Sequence, residues 1–302
     1  MKYLKIIFLS LLFICFSSCK TEPSTYIYFA NIYLNGDHFD NAIRTYNDGI
    51  KEHPNNHVLY IERGKVFYSI GLYQDAINDF DTAISLFPDA IDSYKFRGAS
   101  YFHLENYNDS MEDFICFLAI DSDDYLVNYY MAMLLCIKNN FIDSINYLNK
   151  TIELSPTYLN AYSLRGNVYL ILEEYLNALN DFNSAIAINN KMPELYNSRG
   201  LVHVELNLFE EAYNDFSNAI LLNNKDSVYY YNRGKITFKM GDSYMALSDI
   251  NKAIELYSED KDYYLQRINI LIKLAESEED ITLVKQYLDM SEDDLEKVKN
   301  WP

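Results

Sequence analysis

Residues 57–90 read HVLYIERGKVFYSIGLYQDAINDFDTAISLFPDA, and two helices are legible in them. Tyr60, Gly64 and Phe67 fall at i, i+4 and i+7. Ala76, Phe80 and Ala83 repeat that spacing sixteen residues later. Each set is one face of a 3.6-residue helix. Gly71 stands between them, where a helix end turns left-handed, and Tyr73 follows. Pro88 stops the second helix. The unit is helix, tight turn, helix, turn.

Outward from this stretch the same unit recurs every 34 residues. Tyr26, Tyr60, Tyr94, Tyr162, Tyr196, Tyr230 and Tyr264 form one ladder, broken only by Asn128. Ala30, Gly64, Gly98, Ala132, Gly166, Gly200 and Gly234 form a second. Ala42, Ala76, Ser110, Ser144, Ala178, Ala212 and Ala246 form a third, and Tyr46, Phe80, Phe114, Leu148, Phe182, Phe216 and Ile250 a fourth. Repeats of this length stack as a solenoid instead of closing one globular core. A mid-helix glycine costs about 1 kcal/mol against alanine, so its recurrence implies close approach by the aromatic ring of the second helix.

Small residue, aromatic, alanine, aromatic and proline at these spacings resemble the tetratricopeptide repeat family. The resemblance covers about residues 23–275, as seven full repeats and the first helix of an eighth. It implies an all-α, right-handed superhelical solenoid of helix-turn-helix repeats over 25–275, followed by acidic C-terminal capping helices over 276–302. Phe117 and Thr151 depart from the small Ala83-type residue, and Ile268 stands where glycine belongs. Repeats three and four are therefore expected to pack less regularly.

Residues 1–18 are of another kind. Lys2 and Lys5 precede an apolar run from Ile6 to Phe16, and Ser17-Ser18-Cys19 closes it. A charged start, an apolar stretch too short to span comfortably and small residues at its end describe a signal peptide. The ending resembles a bacterial lipoprotein box, although Phe16 stands where leucine is usual. It implies cleavage before Cys19 and lipidation of its sulfur; an ordinary secreted protein is the plainer alternative. Lys20, instead of a retaining aspartate, points to the outer membrane, on its periplasmic or surface face. Residues 19–24 then form a short lipid tether, at most about 17 Å long.

The formal net charge is −19, and −21 once Lys2 and Lys5 leave with the leader. Phosphates repel such a chain, which argues against nucleic acid and against lying flat on anionic lipid. The membrane is reached through the lipid anchor only. Cys116 falls in an outer slot and Cys136 in an inner one, which argues against a disulfide.

Catalytic and metal-binding patterns are missing. Pro54 separates His53 from His57, so the pair does not share a helix face. Asp121, Asp123 and Asp124 lack the glycine and closing glutamate of a calcium loop. The chain is read as no enzyme, with no cofactor and no metal.

Three structural expectations follow. Arg63, Arg97, Arg165, Arg199 and Arg233 share a slot on first helices, and Asp79, Asp113, Asp181, Asp215 and Asp249 share one on second helices. Repeats with Phe29 and Met131 instead of arginine carry Thr45 and Tyr147 instead of aspartate, so the two are expected to pair within repeats. Ser291 and Asp294 look like the start of a terminal helix over about 292–300, with Leu295, Val298 and Trp301 on its inner face and Leu283, Val284 and Tyr287 on the helix before it. Ile61, Lys65, Tyr68, Lys95, Phe102, Tyr129 and Met133 fall on the side of first helices that no partner helix covers. This is the concave groove that the resemblance implies.

The functional reading is a lipid-anchored adaptor or scaffold at the outer membrane, with a protein or peptide in that groove. Its lysines point to a ligand offering carboxylates beside apolar side chains; a partner gripping the convex face or the turns, or self-association through the same groove, are the competing uses. The alternative class is a carbohydrate-binding outer-membrane lipoprotein of a nutrient-uptake system. Such proteins are tryptophan-rich, and Trp301 is the single tryptophan here.

Overall fold

In the computed structural model, residues 21–301 are described; the stretch expected to be a signal peptide and Cys19 lie outside them. All regular structure among the described residues is helical. Two compact units divide the chain, one ending at Lys138 and the other beginning at Asn139.

The first unit contains α1 (Pro23–Leu34), α2 (Phe39–Glu52), α3 (His57–Ser69), α4 (Tyr73–Leu86), α5 (Ile91–His103), α6 (Tyr107–Leu118) and α7 (Tyr125–Ile137). The second contains α8 (Phe141–Leu154), α9 (Leu159–Ile171), α10 (Tyr175–Ile188), α11 (Pro193–Glu205), α12 (Phe209–Leu222), α13 (Ser227–Lys239), α14 (Ser243–Leu256), α15 (Lys261–Ser277) and α16 (Ile281–Lys299). Within each unit, first and second helices pair in succession, as α3 with α4 and α9 with α10. Each second helix also packs on the next first helix. Successive first helices touch too (α3 with α5, α9 with α11, α13 with α15), whereas second helices have no comparable mutual contact. First helices thus form the tight inner row of each unit.

The recurring residues explain the pairing. A Cβ at Gly64 would lie 2.8 Å from the ring of Phe80, and one at Gly200 2.7 Å from that of Phe216. No carbon fits there, so the second-helix ring lies against bare backbone. The tyrosine ladder closes the turn between repeats: Tyr60 and Tyr162 donate their hydroxyls to the carbonyls of Pro54 and Pro156, both at 3.1 Å. The turn inside each repeat passes through a left-handed residue. Gly71 and Gly241 hold it without steric cost, but Asp37, Glu105, Asn139, Glu173 and Asn207 adopt it as well, at φ of 57–61°.

Repeat three departs where its sequence does. Phe117 is buried in the slot that Ala83, Ala185, Ala219 and Ala253 fill in other repeats, and α6 has 12 residues against 14 in α4. The Phe117 carbonyl takes the amides of both Ile120 and Asp121 at 3.0 Å, which ends the helix early.

The C-terminal segment corrects two expectations. It is one helix, so α15 and α16 complete an eighth pair. Asp280 caps α16 by accepting from the Thr282 amide at 2.8 Å. Ser291 and Asp294 lie in mid-helix, where the Ser291 hydroxyl donates to the Leu288 carbonyl at 2.8 Å and Asp294 meets an arginine. A pattern that caps a helix start is satisfied equally well inside one when both polar groups have partners. Leu295 is exposed, while Val284, Tyr287, Ser291, Asp294 and Val298 form the inward stripe.

Candidate functional site

Each repeat arginine ties three helices together. Arg63 donates from Nε and Nη2 to Asp79 at 2.8 and 2.6 Å. The same two-pronged contact joins Arg97 to Asp113, Arg165 to Asp181, Arg199 to Asp215 and Arg233 to Asp249, with Nη2–Oδ1 distances of 2.6–2.8 Å. The aspartates are nearly buried. The remaining nitrogen, Nη1, reaches back to the preceding second helix: Arg97 to Asp81 at 2.5 Å, Arg165 to Asn149 at 2.5 Å, Arg199 to Asn183 at 2.7 Å, and Arg63 to Asn47. Aromatic rings flank the guanidinium, as Tyr162 and Tyr169 do for Arg165. This planar fork with donors to two neighbours suits arginine and not lysine.

The third partner and a sixth arginine are missing from the sequence reading. Asn47, Asp81, Asn149, Asn183, Ser217 and Asn251 share a 34-residue ladder of small polar residues. Ile115 breaks it ahead of Met131, where there is no arginine to serve. Arg267 donates to Asp294 from Nε and Nη2, both at 2.7 Å, and to Asn251 at 2.7 Å. Its expected slot holds Leu283, and the aspartate comes 27 residues after the arginine instead of 16.

His203 adds a contact at one node. Its Nδ1 lies 2.9 Å from Asp215 Oδ2. Burial would raise the Asp215 carboxyl, but His203 and Arg199 outweigh it and hold the group below its ordinary value. Asp79 and Asp113 lack such a third donor. Burial pushes both up, and the arginine only partly offsets it.

The inner row of the first unit presents the groove residues differently from the expectation. Ile61 is buried. Lys65 is bound by Asp92 at 2.9 Å and Glu62 at 3.0 Å. Burial would lower this ammonium, yet the two carboxylates hold it above its ordinary value. Lys95 is bound by Asp124, which also caps α7. Neither lysine is a free cation; each joins its repeat to the next, so the inference of a carboxylate-bearing ligand loses its basis.

What the row does offer is half-buried aromatic surface with polar tips. The Tyr68 hydroxyl lies 3.4 Å from His103 Nε2 and 3.4 Å from the Tyr130 hydroxyl. Phe102 packs edge-on against Tyr130 and Tyr107, with centroids 5.1 and 5.7 Å apart. Tyr73 stacks on His103 at 4.5 Å. Burial lowers the His103 imidazole. Tyr129 and Met133 are partly exposed on α7. Cys116 and Cys136 are not joined in a disulfide. No helix among the described residues is long and apolar enough to cross a membrane.

Models of the tetratricopeptide repeat match residues 29–91 and 228–260, and a further one described as TPR repeat matches 166–207. Among solved structures, the chain is similar to a tetratricopeptide repeat protein from Parabacteroides merdae. That likeness has 16% identity and a TM-score of 0.57, over 89% of this chain and 98% of the other. It is also similar to the C-terminal part of a TPR repeat-containing protein from Cytophaga hutchinsonii, at 15% identity and TM-score 0.64 over 76% and 93%. PilF of Pseudomonas aeruginosa shows 15% identity and TM-score 0.59 over 68% and 94%. At such identities the likeness is one of fold. No curated protein matches the chain in sequence.

Proposed function

We propose that this chain, which belongs to the tetratricopeptide repeat family, is an adaptor tethered to the bacterial outer membrane through Cys19. Repeats of this family generally mediate contacts between proteins, on a scaffold that is typically non-enzymatic. The finer reading is that an extended protein segment lies along the inner row of the first unit. One observation supports it above the others: Tyr68, Phe102 and Tyr130 leave part of their rings uncovered, with hydroxyl and imidazole groups at their tips. Such surfaces combine apolar area with hydrogen bonding to a peptide backbone. With Lys65 and Lys95 already neutralised, the segment is recognised by apolar side chains and main-chain carbonyls, and its binding varies little with salt.

The anchor and the site need separate tests. Cys19→Ala should move the protein from the membrane fraction to the soluble one; retention in the membrane refutes the tether. A photo-crosslinking residue at position 102 should trap one discrete partner. Alanine at Tyr68, Phe102 and Tyr129 should weaken its capture by more than about 1 kcal/mol each if these are hot spots. Unchanged capture by the folded triple variant places the site elsewhere.

A further inference from the structure

Along the turns that join first to second helices in the second unit, exposed apolar residues and acids occur together, and folding explains only part of both: Glu210 and Glu211 stand in the first turn of α12, where the helix dipole favours acids, and Phe209 and Met240 fill slots that are apolar in most repeats. The first feature is apolar exposure. Ile171 and Leu176 flank the α9–α10 turn at 60% and 69% exposed. The matching residues at the α3–α4 turn are Ser69 and Gln74, and at the α5–α6 turn His103 and Asn108. Packing therefore does not demand aliphatic residues in these slots. Leu208 and Met240, 38% and 41% exposed, line a shallow cavity with Phe209 that bridges the turns of repeats six and seven. Leu208, Phe209 and Met240 bring apolar groups from two successive turns together at this cavity, which gives a partner's apolar side chain a place to seat.

The second feature is charge. Glu210 and Glu211 line the same cavity. Glu173 and Glu205, from successive turns, both lie within electrostatic reach of the Tyr175 hydroxyl, so the acidic rim is continuous from repeat five to repeat six. None of these four carboxylates has a cationic partner among the described residues. Lys239 contributes the opposing charge on the edge, lying 5.2 Å from the ring of Phe209.

We propose that this turn edge is a second docking surface, and that its occupant is a basic amphipathic segment of a partner protein. Apolar side chains of that segment enter between Leu208, Phe209 and Met240, and its lysines or arginines meet Glu173, Glu205, Glu210 and Glu211. Helices pack about 8–10 Å apart, and two turns of a helix rise about 11 Å, so one apolar stripe serves successive turns. The same charge disfavours the other occupants. Anionic lipid is repelled, and a second copy of this chain, with a net charge of −19, would bring acid to acid. The inner row of the first unit is left free for the segment proposed above.

The test is calorimetric titration of the full-length protein in detergent with a synthetic leucine–lysine amphipathic peptide, beside a leucine–glutamate twin of equal length. The lysine peptide should bind and the glutamate twin should not. Leu208→Ser with Met240→Ser should weaken binding about tenfold, as truncation of apolar anchors does. Glu210→Gln with Glu211→Gln should weaken it about as much and flatten its salt dependence. Glu292→Gln with Asp293→Asn, an equal loss of charge on α16, should leave it unchanged. All these side chains are exposed, so helicity should be retained in each variant. Equal loss with the α16 pair would reduce the effect to general charge attraction and overturn the proposal. Binding of the glutamate twin would also overturn it, as would sedimentation showing a dimer that Leu208→Ser dissolves.

Discussion

Asp294→Ala should release the terminal helix before the rest of the second unit unfolds. Asp294 is 1% exposed and takes two hydrogen bonds from Arg267, whose side chain is 14% exposed. Removing the carboxylate leaves the guanidinium with Asn251 at 2.7 Å and the face of Tyr264 at 5.6 Å. Breaking a buried ion pair from one side costs about 3–5 kcal/mol. The surviving Asn251 contact argues for the lower end, about 3 kcal/mol. In a stacked array each repeat leans only on its neighbours, so the loss falls on the α15–α16 pair. Trp301, the single tryptophan, lies 5.7 Å from Tyr264, which makes its fluorescence a reporter of the cap, while far-ultraviolet circular dichroism reports every helix. With a urea dependence of about 1–3 kcal/mol per molar, the tryptophan transition should move down by about 1–3 M and separate from the dichroism transition. Arg267→Met with Asp294→Leu should restore most of the loss, because an apolar pair leaves no buried charge uncompensated. Coincident transitions at the wild-type midpoint would refute the reasoning outright. A double variant as weak as the single would assign the loss to packing instead of charge.

Glu105→Gly and Glu173→Gly should each stabilise the protein by about 0.5–1 kcal/mol, since both residues hold φ near 60°, where only glycine is free of steric cost; urea midpoints check it. Gly200→Ala should destabilise by about 1–2 kcal/mol, because overpacking against Phe216 at 2.7 Å outweighs the helix propensity gained. Phe216→Leu should then recover part of that loss in a double-mutant cycle. Asp215 is held below its ordinary value, so its contribution is complete above the unfolded pKa of about 3.9 and is lost as pH falls through the folded one. His203→Phe removes one of the groups holding it down. Loss should then begin at higher pH in urea midpoints measured between about pH 2 and 5, and an unchanged profile would remove His203 from the account.

What the sequence discloses here is whatever recurs. Gly64, Gly98, Gly166 and Gly200 are legible as close approaches because the ring that meets each glycine recurs in the same register. The arginine and aspartate slots are legible because their gaps coincide. The third partner of each arginine was hidden by its chemistry: an Asn, Asp or Ser ladder does not advertise charge. Arg267 was hidden by distance, because a longer terminal helix supplies its aspartate from beyond the repeat. Lys65 and Lys95 were misjudged for the same physical reason. Glu62, three residues before Lys65, is on the same helix, but Asp92 and Asp124 lie beyond the repeat of the lysine each binds, and a helical wheel drawn for one helix cannot show what the next one brings.

The residues that favour a functional reading behave in the opposite way. Tyr68, His103 and Tyr130 come from three different slots: no other repeat has tyrosine in the Tyr68 slot or histidine in the His103 slot, and tyrosine returns in the Tyr130 slot only at Tyr28. Ile171 and Leu176 stand where repeats two and three have Ser69, His103, Gln74 and Asn108, and where repeat four has Ile137 and Ile142. A slot filled alike in five to seven repeats answers to the neighbouring helix, which is the same each time. A slot that changes is released from that demand, and an exposed ring or aliphatic chain there offers roughly 25 cal/mol per Å² of apolar surface that burial against a partner would gain. Where several such residues gather in positions that packing leaves open, a partner's surface supplies a physical reason for them. Subtracting the repeat from the sequence therefore separates the two classes: what cancels holds the solenoid together, and the exposed apolar remainder marks where a partner would sit.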